Sequence, residues 1–189
     1  MSFSFFGLQV AFKRNSRDPL AGQLQHLLAR DATARQSITD KQRFWKDVSS
    51  LLVPASAGFE FGDWDLVRSF SAPDDYDEWV ADIEAGLAPD AQADAASLVA
   101  DASPSYVIAT MMVLVDRGSN ADETLGMGCD IPESDWMTRA TFAQLIAILP
   151  RLNFANVQAD AIYLVPGRGR QGPSANDLES DDYRLRPLT

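Results

Sequence analysis

Ser105–Val115 reads SYVIATMMVLV. Apolar residues fill both alternating sets of positions, so an extended chain here has no face suited to water. That pattern belongs to a strand in the middle of a sheet, covered on both faces or along much of its length. The stretch Val107–Val115 is also the longest apolar run of the chain, and it is too short to span a bilayer.

Working outward toward the C-terminus, Asp116–Asp135 is rich in glycine and acids and reads as a long loop. Thr138–Leu149 follows as a helix, with Phe142, Leu145, Ile146 and Leu149 on one face and Pro150 as its stop. Val157–Val165 is the next strand. A strand, a long helical crossover and a strand predict a right-handed βαβ unit.

Outward toward the N-terminus, Phe3, Phe5, Leu8, Val10 and Phe12 predict a strand whose alternation slips at Gly7, where a bulge is expected. Asp18-Pro19 predicts the start of a helix striped by Leu20, Leu24, Leu27 and Leu28. A second helix is expected to open at Thr39–Gln42, present Phe44, Trp45, Val48, Leu51 and Leu52 on one face, and close at Pro54. Phe59–Phe61 and Trp64–Phe70 have strand character, broken at Gly62-Asp63. Pro73 with Asp74 and Asp75 marks the first turn of a third helix, where acids complement the helix dipole. Tyr76, Trp79, Val80, Ile83 and Leu87 form its apolar arc, and Gly86 and Pro89 end it. Ala91–Ala102 reads as a weaker helix or a surface connection. No internal repeat and no heptad pattern is present.

The expectation is an α/β fold in two layers: three to five strands in a mixed or mostly antiparallel sheet, helices largely on one face, and a βαβ unit at the C-terminal end. The 189 residues read as a single compact domain (1–189), with a helix-rich N-terminal half (1–103) and a C-terminal half (104–189).

The formal charge is −11, which argues against a sequence-independent grip on nucleic acid or anionic lipid. It is unevenly spread: residues 1–53 carry eight Lys/Arg against four acids, 54–135 two against eighteen, and 136–189 six against five. An acidic middle of this kind is ordinarily a solvated face that keeps a protein soluble; it also repels anionic partners, while the basic N-terminal region is able to attract the rest of the molecule or a partner. One cysteine, Cys129, excludes an internal disulfide and fits a reducing compartment. The first residues lack a basic stretch ahead of an apolar core, so no signal peptide is read there. A cytoplasmic protein is expected.

The chemistry-bearing residues are few. His26 lies off the leucine stripe of its helix and reads as a surface residue. With one His and one Cys, no zinc set of those ligands forms. Cys129, in GMGCDIP, has acidic neighbours that raise a thiol pKa, which suits a passive cysteine. Asp74, Asp75, Asp77 and Glu78 resemble a cation cluster, but first-turn carboxylates need no metal to explain them. Gly167–Gly172, GRGRQG, follows a strand yet runs into Pro173 rather than a helix, so neither phosphate-loop pattern is met. No cofactor is implied.

The C-terminal half resembles the C-terminal domain of an uncharacterised cyanobacterial and plastid family that includes the plant fluctuating-light acclimation protein. The resemblance rests on SYVIATMMVLVD, the Asp130-Ile131-Pro132 segment, TFAQLIAIL, ADAIYLVPG and the ending DLESDDYRLRPL, with Asp182-Tyr183 and Pro187-Leu188 its most specific positions. It implies a regulatory role and hands down no catalytic residue.

With no nucleophile beside a base, no metal set and no phosphate cradle, the expected function is a non-enzymatic interaction or regulatory module with a protein partner. Trp64, Trp136 and Tyr183 are its candidate contact residues; core burial is the ordinary role of the two tryptophans. The rival reading is an enzyme or small-ligand binder with a pocket under the 116–135 loop, where Asp122, Glu123, Asp130, Glu133 and Asp135 supply acids. Finally, Leu178, Tyr183, Leu185 and Leu188 lie between charges as in a surface strap, so Leu178–Leu188 is expected to pack back on the domain.

Overall fold

The fold is taken from a computed structural model of the chain, which describes residues 2–14, 19–31, 37–87, 105–166, 172–180, 183 and 185–189. Ser105–Val115 does decide it. Tyr106–Asp116 (β3) is buried at every residue but the last and lies in an open antiparallel sheet of order β4-β3-β1-β2-β5. Beside it runs Phe3–Lys13 (β1), the central strand, paired on its other edge to Phe59–Val67 (β2). Val157–Val165 (β4) forms one edge, and the two-residue Arg186–Pro187 (β5) lies against β2 at the other. Both halves of the sequence therefore contribute strands to one sheet.

Two cores lie back to back across it. On one face the even residues of β1, from Phe6 to Phe12, meet the helices Leu20–Asp31 (α1), Ile38–Ala55 (α2), Asn120–Gly128 (α4) and Arg139–Ile148 (α5). Trp45 and Phe44 from α2 and Phe142 from α5 are almost wholly buried there, and a fully buried large side chain stabilises by roughly 1.5–3 kcal/mol. The indole of Trp45 donates to Asp160 Oδ2 at 3.1 Å, and Lys41 pairs with Asp160 Oδ1, so this inward-facing acid of β4 is neutralised. The opposite face carries Ala72–Leu87 (α3) and the short Ala175–Leu178 (α6) over Phe5, Ile108, Met112 and Leu114. Helices lie largely on one face, as expected, with α3 as a thinner covering on the other.

Several local expectations are corrected. The strand–helix–strand order at the C-terminal end holds, but β3 and β4 are antiparallel neighbours, so the right-handed crossover of parallel strands does not apply. The register shift between β1 and β2 falls at Ala11/Phe12, where Glu60 of β2 is the extra residue, and not at Gly7. Gly7 is instead a close approach: a Cβ there would stand 2.7 Å from the ring of Trp79. Gly62 does not interrupt β2 either, since its missing side chain makes room for Phe142, whose ring would lie 2.5 Å from a Cβ. Helix α2 is capped by Ser37, which accepts from Asp40 N, and it continues through Pro54 to Ala55. Half of the expected 116–135 loop is α4, capped by Ser119, followed by a 3-10 turn at Glu133–Asp135. Asp18, residues 91–102 and the arginines of GRGRQG lie outside the described residues.

The described residues of the C-terminal strap pack back on the domain as expected. Leu178, Leu185 and Leu188 are buried. Leu188 N donates to Glu60 O at 2.8 Å, and Thr189 exchanges backbone bonds with Met137 and Arg139. Among the described residues no helix is long and apolar enough to cross a membrane.

Candidate functional site

On the α3 face, helix and sheet do not close completely. They leave a cavity of about 400 Å³. Its helical wall is one stripe of α3, residues Asp75, Glu78, Trp79, Asp82 and Ile83, spaced as neighbours on a helix surface. Its sheet wall comes from alternate residues: Asp63, Asp65 and Val67 from β2, Phe5 and Gln9 from β1, Ile108 and Thr110 from β3, and Val165 from β4, with Tyr183 from the strap.

The register explains the floor. Asp63 lies opposite Gln9, Gln9 opposite Thr110, and Thr110 opposite Tyr163, so one row across four strands is polar on a face that is otherwise core. Gln9 Nε2 donates to Thr110 Oγ1 at 3.1 Å, which satisfies the buried threonine. Trp79 packs over Gly7 and edge-on to Phe5, at 5.3 Å and 74°.

Five carboxylates thus face one cleft. Asp63 is paired with Arg186 of the strap, Nη2 to Oδ1 at 3.0 Å, and Asp75 accepts from Ser71 Oγ at 2.9 Å. Among the described residues no lysine or arginine pairs with Asp65, Asp75, Glu78 or Asp82. Burial raises the Asp65 carboxyl above its ordinary value, and the charges of Asp63 and Asp75 raise it further against a bond from Leu66. The cleft therefore holds uncompensated negative charge over an apolar and aromatic wall. No group of three or more His, Cys, Asp or Glu is disposed to hold a metal among the described residues.

The other alternate residues of β2 build a different surface. Trp64 and Trp136, 72 positions apart, touch edge to face at 5.9 Å and 78°. Trp64 Nε1 donates to Trp136 O at 3.2 Å and Trp136 Nε1 to Ile131 O at 2.8 Å. Neither ring is buried in the core: Trp64 is half-buried and Trp136 is 37 % exposed. Tyr183 stands apart from this pair, at the cleft.

The remaining candidates take structural places. His26 is exposed. Cys129 is half-buried, and burial pushes its thiol up to about 12 against the pull of Arg68; burial, more than its acidic neighbours, makes it unreactive. None of Asp122, Glu123, Asp130, Glu133 and Asp135 lines the cavity. Asp122 is held by Arg68 Nε and Gly118 N, each at 3.0 Å. Asp74 and Asp75 do lie in the first turn of α3.

What the sequence reading missed is Gln9, Asp63, Asp65, Asp82 and Thr110. The signal was present: polar residues two apart in β2 and a carboxylate stripe in α3. Only the strand register shows that they face one another. No protein-family model, curated protein or solved structure matches the chain.

Proposed function

We propose that the chain is a non-enzymatic interaction module, and that its partner is a protein presenting an extended cationic segment to the acidic cleft. The observation that carries this reading is the convergence of Asp63, Asp65, Asp75, Glu78 and Asp82 on one cavity of about 400 Å³ that Trp79, Ile108 and Val165 also line. Lysine and arginine have the matching anatomy, an apolar stem and a charged head. The stems lie against Trp79, Ile108 and Val165, and the heads reach the carboxylates, with the indole face adding cation–π attraction. The Arg186–Asp63 pair supports the choice, because one guanidinium on an extended strand already rests on this rim. The regulatory part of the reading rests on the resemblance of residues 104–189.

The test is fluorescence anisotropy with a labelled lysine/arginine decapeptide and an acidic decapeptide as control. The basic peptide alone should bind, and added salt should weaken it. The double variant Asp75→Asn/Asp82→Asn should lose affinity about tenfold, two exposed or half-exposed charges at roughly 0.7 kcal/mol each. Absence of binding, or binding indifferent to these charges, contradicts the proposal. The cavity's size also suits a small oligoamine; spermidine binding without peptide binding selects that reading.

A further inference from the structure

The C-terminal strap supplies two groups to the cleft that it borders. Tyr183 lines the cavity, and the Arg186 guanidinium rests on Asp63, one of the cavity's own carboxylates. The strap does not depend on that ion pair for its position. It is anchored by buried Leu178, Leu185 and Leu188 and by backbone bonds from Leu188 to Glu60, from Leu185 to Leu178 and between Thr189 and both Met137 and Arg139. The ion pair itself is open to solvent, with Arg186 54 % and Asp63 30 % exposed, and pairs of this kind are weak.

A weakly held guanidinium on a firmly held backbone can leave its partner without unfolding anything. We infer that Arg186 is a built-in competitor: it occupies Asp63 when the cleft is empty and sets the affinity for an incoming cation. This rests on the reading of the cleft as a cation-binding site. An arriving lysine or arginine head meets one carboxylate already engaged and a like charge beside it, both of which oppose binding. Displacing Arg186 into water removes both. Arg186 is therefore an affinity-determining residue, and a partner able to offer two cations at the rim gains more than one offering a single charge.

The experiment compares wild type, Arg186→Gln and Arg186→Lys, using the same labelled basic decapeptide and anisotropy readout. Arg186→Gln should bind about 1.5- to fivefold tighter, the span of one exposed ion pair. Arg186→Lys keeps the charge and should stay at the wild-type affinity, which separates competition from loosening of the strap. Adding Asp63→Asn to Arg186→Gln should remove most of the gain. Equal or weaker binding by Arg186→Gln than by wild type overturns the inference while leaving the cleft reading in place. No binding by wild type or by Arg186→Gln overturns the cleft reading, and this inference with it.

Discussion

The two faces of the sheet are built from the same strands and treat polar groups in opposite ways. Under α1, α2, α4 and α5, the one inward acid of β4, Asp160, is held by Lys41 and Trp45. Under α3, Asp65 faces two other carboxylates and pairs with no described cation. The contrast even occurs within β2. Glu60 is gripped by Lys13 Nζ at 2.7 Å and by the Tyr106 hydroxyl at 2.6 Å, while Asp65, five residues on, is not. One face is closed by packing and pairing. The other keeps five carboxylates close together, none of them buried and only Asp63 ion-paired among the described residues, and such crowding of like charge destabilises modestly.

The largest expected effect lies on the closed face. Trp45→Ala should cost about 3–5 kcal/mol in chemical denaturation, because a wholly buried indole leaves a cavity and Asp160 loses a donor. Trp79→Ala, half-buried on the open face, should cost roughly half as much. Equal losses would break the distinction between the faces.

Gly7→Ala comes next. Its Cβ would press on the Trp79 ring, and overpacking of this kind costs about 1–3 kcal/mol. The same variant should alter basic-peptide binding, since Trp79 is a cleft wall. A neutral result would mean that α3 shifts freely over β1.

The fold was legible where one residue pattern had one cause. The doubly apolar Ser105–Val115 suits only an interior strand, and the leucines of Leu178–Leu188 suit a strap better than an anchor for a partner or a second copy of the chain. The site was less legible because each of its parts had a sufficient local explanation. Asp74 and Asp75 suit a helix start, and Gly62-Asp63 suits a break in a strand. The strand is continuous because Phe142 fills the space over Gly62, a contact 80 residues away that no local reading contains. Trp64 and Trp136 were recognisable singly, but their contact depends on the segment after α4 bringing Trp136 against β2.

Glu60 and Asp65 sharpen the comparison through pH. Burial pushes the Glu60 carboxyl up, but Lys13 and Tyr106 outweigh it and hold it below the ordinary value. Such a group binds fewer protons folded than unfolded; its stabilisation is present above the unfolded pKa near 4.5 and is lost as pH falls through the folded one. Glu60→Gln should therefore lower stability at pH 7 by about 1 kcal/mol and flatten the acid limb of the stability profile. Asp65 has the opposite sign. Its folded pKa is raised above 3.8, so the folded state binds more protons and stability falls as pH rises through that window.

Asp65→Asn is the smallest change and the most direct test, because asparagine keeps an acceptor for Leu66 N while removing the charge. It should raise the unfolding midpoint slightly, on the order of 1 °C, and at the same time weaken binding of the basic decapeptide. Stability and binding moving in opposite directions is the result expected of a cleft whose charge is kept for a partner. An unfolding midpoint that falls, or peptide binding that is unchanged, would contradict it.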